Sequence, residues 1–232
     1  MRIAIIALLG VSLAACSSAP QSSFRNQVID RALAGAPGQA QPGTIVATEL
    51  AFARMAREEG QWTAFAEFAT DDAIMFAPER VNARSWLKGR ANPQQSVGWQ
   101  PHYVWMSCDG SLAVTKGAWQ QPDGSHGYFT TVWQRQKKGA YKWVMDQGDK
   151  LATPLVEPEF IQTQVADCGI PDTLAAQGGG PWLSADAGRS QDMTLQWSAR
   201  VAANKAREIR VHIWKDGAFQ SVIAADVAVP TD

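Results

Sequence analysis

Between Trp99 and Gly148 the hydrophobic pattern gives four strand-like runs, at 103–107, 112–119, 128–136 and 141–146, punctuated by turn signals. The runs are rich in aromatic and β-branched residues, which favour strands. Asp109-Gly110, Pro122-Asp123-Gly124 and Lys138-Gly139 separate the runs. Asp-Gly between extended segments is a hairpin signal. Five of the ten tryptophans and all three tyrosines fall in this stretch. That aromatic area suits the covered face of a curved antiparallel sheet.

Upstream, apolar residues recur at helical spacing. Thr44 is placed to cap a first helix, with Thr48-Glu49 in its early turns and Gly60 beyond its end. Val46, Leu50 and Ala53 form its apolar stripe, with Phe52 and Ala56 beside it. A second helix over 61–69 puts Trp62, Phe65, Ala66 and Ala69 on one face. A short strand at 73–76 stops at Pro78, and a third helix is capped by Asn82, anchored by Trp86-Leu87 and ended by Gly89. The expected order is therefore helix, helix, strand, helix and four antiparallel strands.

After residue 150 the composition shifts to prolines and glycines through 151–192, an irregular connection. Three more strand-like runs follow, 193–202, 207–215 and 218–229, with Asp216-Gly217 as a hairpin turn. They predict a three-stranded β-meander over 193–232. About forty residues of meander are marginal alone, so it is expected to pack on the preceding domain. Arg200, Lys205, Arg207 and Arg210 are expected on its solvated face.

The first residues form a targeting segment. Arg2 supplies a positive charge and residues 3–13 a short apolar core, too short to span a bilayer. It ends in Leu13-Ala14-Ala15-Cys16, which resembles the lipobox of bacterial lipoproteins. The resemblance implies a signal peptide over 1–15 and a palmitate-type lipid anchor on Cys16. Ser17 rather than Asp follows, which in that family points to the outer membrane, facing the periplasm. Cleavage as an ordinary secretory signal is the alternative. Residues 16–43, rich in Ser, Gln, Ala, Pro and Gly, read as a flexible tether.

Charge narrows the function classes. The chain carries 21 basic against 22 acidic residues and shows no basic stripe, which removes the basis for nucleic-acid binding. His102, His126 and His212 lack metal-ligand spacing, and no phosphate loop or nucleophile elbow is present, so neither a metal nor a cofactor is expected. Cys108 and Cys168 are an even pair in an oxidising compartment, which favours a disulfide over two free thiols.

The segments GQWTAFAEFATDDAIMFAP (60–78) and TTVWQRQKKGAYKWVMDQG (130–148) resemble the SnoaL-like branch of the nuclear-transport-factor-two-like cone over residues 44–150. The resemblance implies an α+β cone of three N-terminal helices on a strongly curved antiparallel sheet. It also implies pairing of two copies through the outer sheet face, hence a homodimer. In the ketosteroid isomerases of that superfamily the general-base Asp precedes a Pro; here that residue is Ala77. The oxyanion Tyr would fall near Ala53, where no Tyr stands. Isomerase activity is therefore not implied.

By the same resemblance Phe129, Thr131 and Trp133 face the cone interior, together with Val144, Asp146 and Gly148 on the next strand. Asp146 is the one carboxylate there, and three roles stay open for it: catalysis, ligand anchoring, or structure. The expected protein is a lipid-anchored cone that binds a small apolar or amphipathic molecule or serves as a dimeric interaction module. An acid–base enzyme of isomerase, dehydratase or hydrolase type is the alternative.

Overall fold

The computed structural model describes residues 40–171, 186–201 and 206–227, all in the second of the two units into which the chain divides, 33–232. Cys16 and its flanking segments lie outside the described residues. Among the described residues the fold is α+β: three helices, a large curved mixed sheet and a second, four-stranded antiparallel sheet.

Helix α1 (Pro42–Glu58) starts two residues before Thr44, with Pro at its first position, where a missing N–H costs nothing. Its buried stripe is Ile45, Glu49, Phe52, Ala53 and Ala56, while Leu50 is 54% exposed. The stripe thus lies one residue away from the one its apolar pattern suggests, because a carboxylate occupies a core position. Gly60, at φ 110°, turns the chain directly into α2 (Gln61–Phe68). No residue at the start of α2 caps it. Asn92 Oδ1, thirty residues on, accepts from Trp62 N at 2.7 Å instead. Asn82 caps α3 (Ala83–Leu87) through Ser85 N at 2.9 Å.

Seven strands form the first sheet: β1 (Ala69–Phe76), β2 (Arg80–Asn82), β3 (Gly98–Met106), β4 (Leu112–Gln120), β5 (His126–Arg135), β6 (Tyr141–Lys150) and β7 (Gln162–Val165). Their order is β2-β1-β6-β5-β4-β3-β7. The expected four-strand antiparallel core, β3 to β6, is present. The whole sheet is mixed, because β1 joins β6 and β7 joins β3 in parallel. The helices fill its concave face through Phe52, Phe65 and Phe68, which pack on Trp99, Trp133 and Trp143.

The C-terminal strands are β8 (Asp186–Arg189), β9 (Leu195–Val201), β10 (Arg207–Lys215) and β11 (Ala218–Val227). The expected meander β9–β10–β11 is extended to four strands by β8, which lies in the stretch read as irregular. Asp216 (φ 52°) and Gly217 (φ 78°) make the tight turn that an Asp-Gly hairpin calls for. This sheet packs on the convex face of the first. Leu195, Trp197, Ile209, Val211 and Ile213 share one core with Ile74, Leu112, Val114, Val132 and Met145. The outer face expected to meet a second copy is covered there by the chain's own strands. Arg207 is buried rather than solvated, donating to Gly148 O at 3.3 Å and Pro78 O at 3.5 Å. Cys108, after β3, is disulfide-bonded to Cys168, with Cα atoms 5.3 Å apart.

Candidate functional site

Three inner-face residues stand in one row across the sheet. Thr115 on β4 pairs with Thr131 on β5, and Thr131 pairs with Asp146 on β6. Thr131 donates its hydroxyl to Asp146 Oδ2 at 2.7 Å, and Thr115 donates to Glu49 Oε1 at 2.5 Å. A carboxylate therefore terminates each end of the row. Glu49 is the more enclosed, at 1% exposure, and accepts also from Trp99 Nε1 and Trp133 Nε1, both at 3.2 Å.

Burial governs both acids. It pushes Glu49 up to about 7, with the nearby charge of Asp146 adding to the rise and the three donors pulling the other way. Burial likewise raises Asp146 to about 6, against the pull of the Thr131 hydroxyl. Each acid can thus change charge near neutral pH, where acid–base groups work best.

Asp146 and Thr131 open onto a cavity of about 280 Å³ walled by aromatic residues, Phe52, Trp62, Phe65, Trp99, Trp119 and Phe129 among them. Gly148 gives Trp119 room to lie against β6, and the Trp119 indole donates to Tyr128 O at 2.9 Å. Gln61, Gln121 and Gln147 also line it, and a largely apolar chamber with a carboxylate–hydroxyl pair and a few carboxamides holds a small molecule by its shape and orients it by its polar contacts.

Phe129, Thr131 and Asp146 line this cavity. Trp133 is fully buried behind the wall, where its indole serves Glu49 and Thr115. Val144 is a correction. The β5–β6 register runs from Val132↔Met145 to Trp133↔Trp143, which leaves Val144 as an extra residue in a bulge. Val144 packs on the outer core, and Trp143 takes the inner face in its place. Ala77 and Ala53 bring no titratable group or donor to the site. His126 lines a neighbouring groove, and His102, in a β3 register shift, is buried away from both.

Glu49 is the site residue that sequence reading missed. Its signal was present: a lone acid at the spacing of Ile45, Phe52 and Ala56 on an otherwise apolar stripe.

No protein-family model matches this chain, and no curated protein matches it. Among solved structures it is similar to a candidate ketosteroid isomerase from Parabacteroides distasonis, at 17% identity and TM-score 0.39, over 48% of this chain and 88% of that one. It is also similar to a candidate aromatic ring hydroxylase from Novosphingobium aromaticivorans, at 13% identity and TM-score 0.35, over 48% of this chain and 91% of that one.

Proposed function

We propose that the cone binds one small, largely apolar molecule whose polar group is anchored by Asp146. The observation that carries this reading is the position of Asp146, on the wall of an aromatic chamber with Thr131 as its side-chain donor. A ligand hydroxyl, carbonyl or amine placed there meets an acid that can accept or donate according to pH. A thermal-shift screen of small aromatic and alicyclic alcohols, ketones and amines tests it. A binding compound should lose about 1.5–3 kcal/mol of affinity with Asp146→Asn, the worth of a hydrogen bond to a charged group. Equal affinity in that variant would refute the anchor.

An acid–base enzyme is the second reading, favoured by two raised carboxylates joined through one threonine row. In it Asp146 exchanges the proton with substrate, while Glu49, which does not touch the cavity, sets the local charge. Turnover abolished by Asp146→Asn in a variant that still binds would select this reading over the first.

The same protein is proposed to be held in the bacterial envelope by lipid on Cys16, an assignment supported by Leu13-Ala14-Ala15-Cys16. Acyl chains contribute about 0.8 kcal/mol per buried methylene. Membrane partitioning that survives Cys16→Ser would remove the anchor from this account.

A further inference from the structure

A second concavity, of about 810 Å³, lies beside the cone chamber and shares Trp99, Trp119 and Gln121 with it. Its chemistry is different. Five exposed glutamines line it: Gln94, Gln95, Gln120 and Gln121 bring four carboxamides whose side chains make no hydrogen bond among the described residues, and Gln100 donates its amide to Glu157 Oε1 at 2.5 Å. Arg57 is the one lysine, arginine or carboxylate residue among the described residues that line it. Trp99 and Trp119 stand side by side as direct partners across β3 and β4, and both are half-buried.

We propose that this groove binds a neutral polyhydroxylated chain, a saccharide of a few units. Each carboxamide presents two N–H donors and a carbonyl acceptor, which matches hydroxyl groups that donate and accept at once. The apolar C–H face of a sugar ring fits an indole surface. A strongly anionic ligand would find one cation, and a cationic one no carboxylate. An acyl chain would strand four amides without water or partners. The volume falls within the range of about 300–1,000 Å³ typical of small-molecule sites. The groove reading does not depend on what the cone holds, since Asp146 takes no part in it.

The test is titration of the full chain with cellotetraose, maltotetraose and tetra-N-acetylchitotetraose, followed by calorimetry and tryptophan fluorescence. At least one should bind with Kd between about 10 μM and 1 mM. Its affinity should not change with salt, because no ion pair is formed. The double variant Gln94→Ala/Gln120→Ala should weaken it ten-fold or more at an unchanged melting temperature, and Asp146→Asn should leave it intact. The proposal is overturned if none of the three binds, or if removing all four carboxamides leaves affinity unchanged. Tighter, salt-sensitive binding of dextran sulfate would assign the groove to an anion instead and likewise overturn it.

Discussion

Thr131 and Asp146 are direct partners across β5 and β6, and the threonine hydroxyl sits 2.7 Å from the carboxylate. The bond favours the charged acid and opposes the burial that holds Asp146 at about 6. Thr131→Val keeps the shape and removes the donor. The Asp146 carboxyl should then titrate higher still, read by carboxyl-carbon NMR or by the pH midpoint of ligand affinity. An unmoved midpoint would show that Thr131 does not tune this acid.

Glu49 makes stability depend on pH in a direction opposite to that of an ordinary salt-bridged acid. Its value rises from 4.5 to about 7 on folding. Between those two values the folded chain keeps a proton that the unfolded chain has released. Stability is therefore fully present below about 4.5, falls as pH rises, and levels off above about 7. The loss is on the order of 3 kcal/mol. Asp146 adds to it in the same direction. Melting curves from pH 4.5 to 8 should decline, and Glu49→Gln should flatten the decline. A slope identical in that variant would exclude Glu49 as its source.

The two acids mark how far the sequence could be read. Asp146 was accessible because the cone resemblance turns alternate residues of its strand, 144, 146 and 148, inward. The same alternation misplaced Val144, since a bulge adds one residue without a sequence signal as strong as a turn residue. Glu49 is hidden in the sequence because a carboxylate does not mark an apolar stripe, and the neighbouring row of side chains also satisfies the helical period. The helices, the hairpin breaks and β9 to β11 follow from local chemistry. By contrast, the parallel pairings of β1 and β7, the addition of β8 and the stacking of one sheet on the other are long-range choices. Arg207 shows why: its guanidinium is satisfied by carbonyls of Pro78 and Gly148, far away in the chain.

The Cys108–Cys168 bond spans 60 residues and ties the β3–β4 turn to the segment after β7. A loop of that length is worth roughly 4 kcal/mol in the chain-entropy model. Reduction, or replacement of both cysteines by serine, should lower the melting temperature by roughly 10 °C for a chain of this size. Thiol titration of the denatured, unreduced protein should find both cysteines blocked. Two free thiols would rule the bridge out.

Gly148 decides whether Trp119 can wall off the chamber. A Cβ at this position would lie 2.6 Å from Tyr128 O and 3.2 Å from Trp119 Nε1. Those two atoms are the partners of the 2.9 Å bond that fixes the indole, so a methyl group lands on the bond itself. The space alone is at issue, because Gly148 is not among the glycines with positive φ. Backbone on one side and a packed ring on the other leave little room to relax. Gly148→Ala should therefore cost about 1–3 kcal/mol, the usual range for an overpacked site. It should also release the Trp119 N–H, visible as a shifted and faster-exchanging indole proton by NMR. Because Trp119 separates the aromatic chamber from the glutamine groove, the variant should weaken ligands of both. An unchanged melting temperature with an unshifted indole signal would show that the wall does not depend on this glycine.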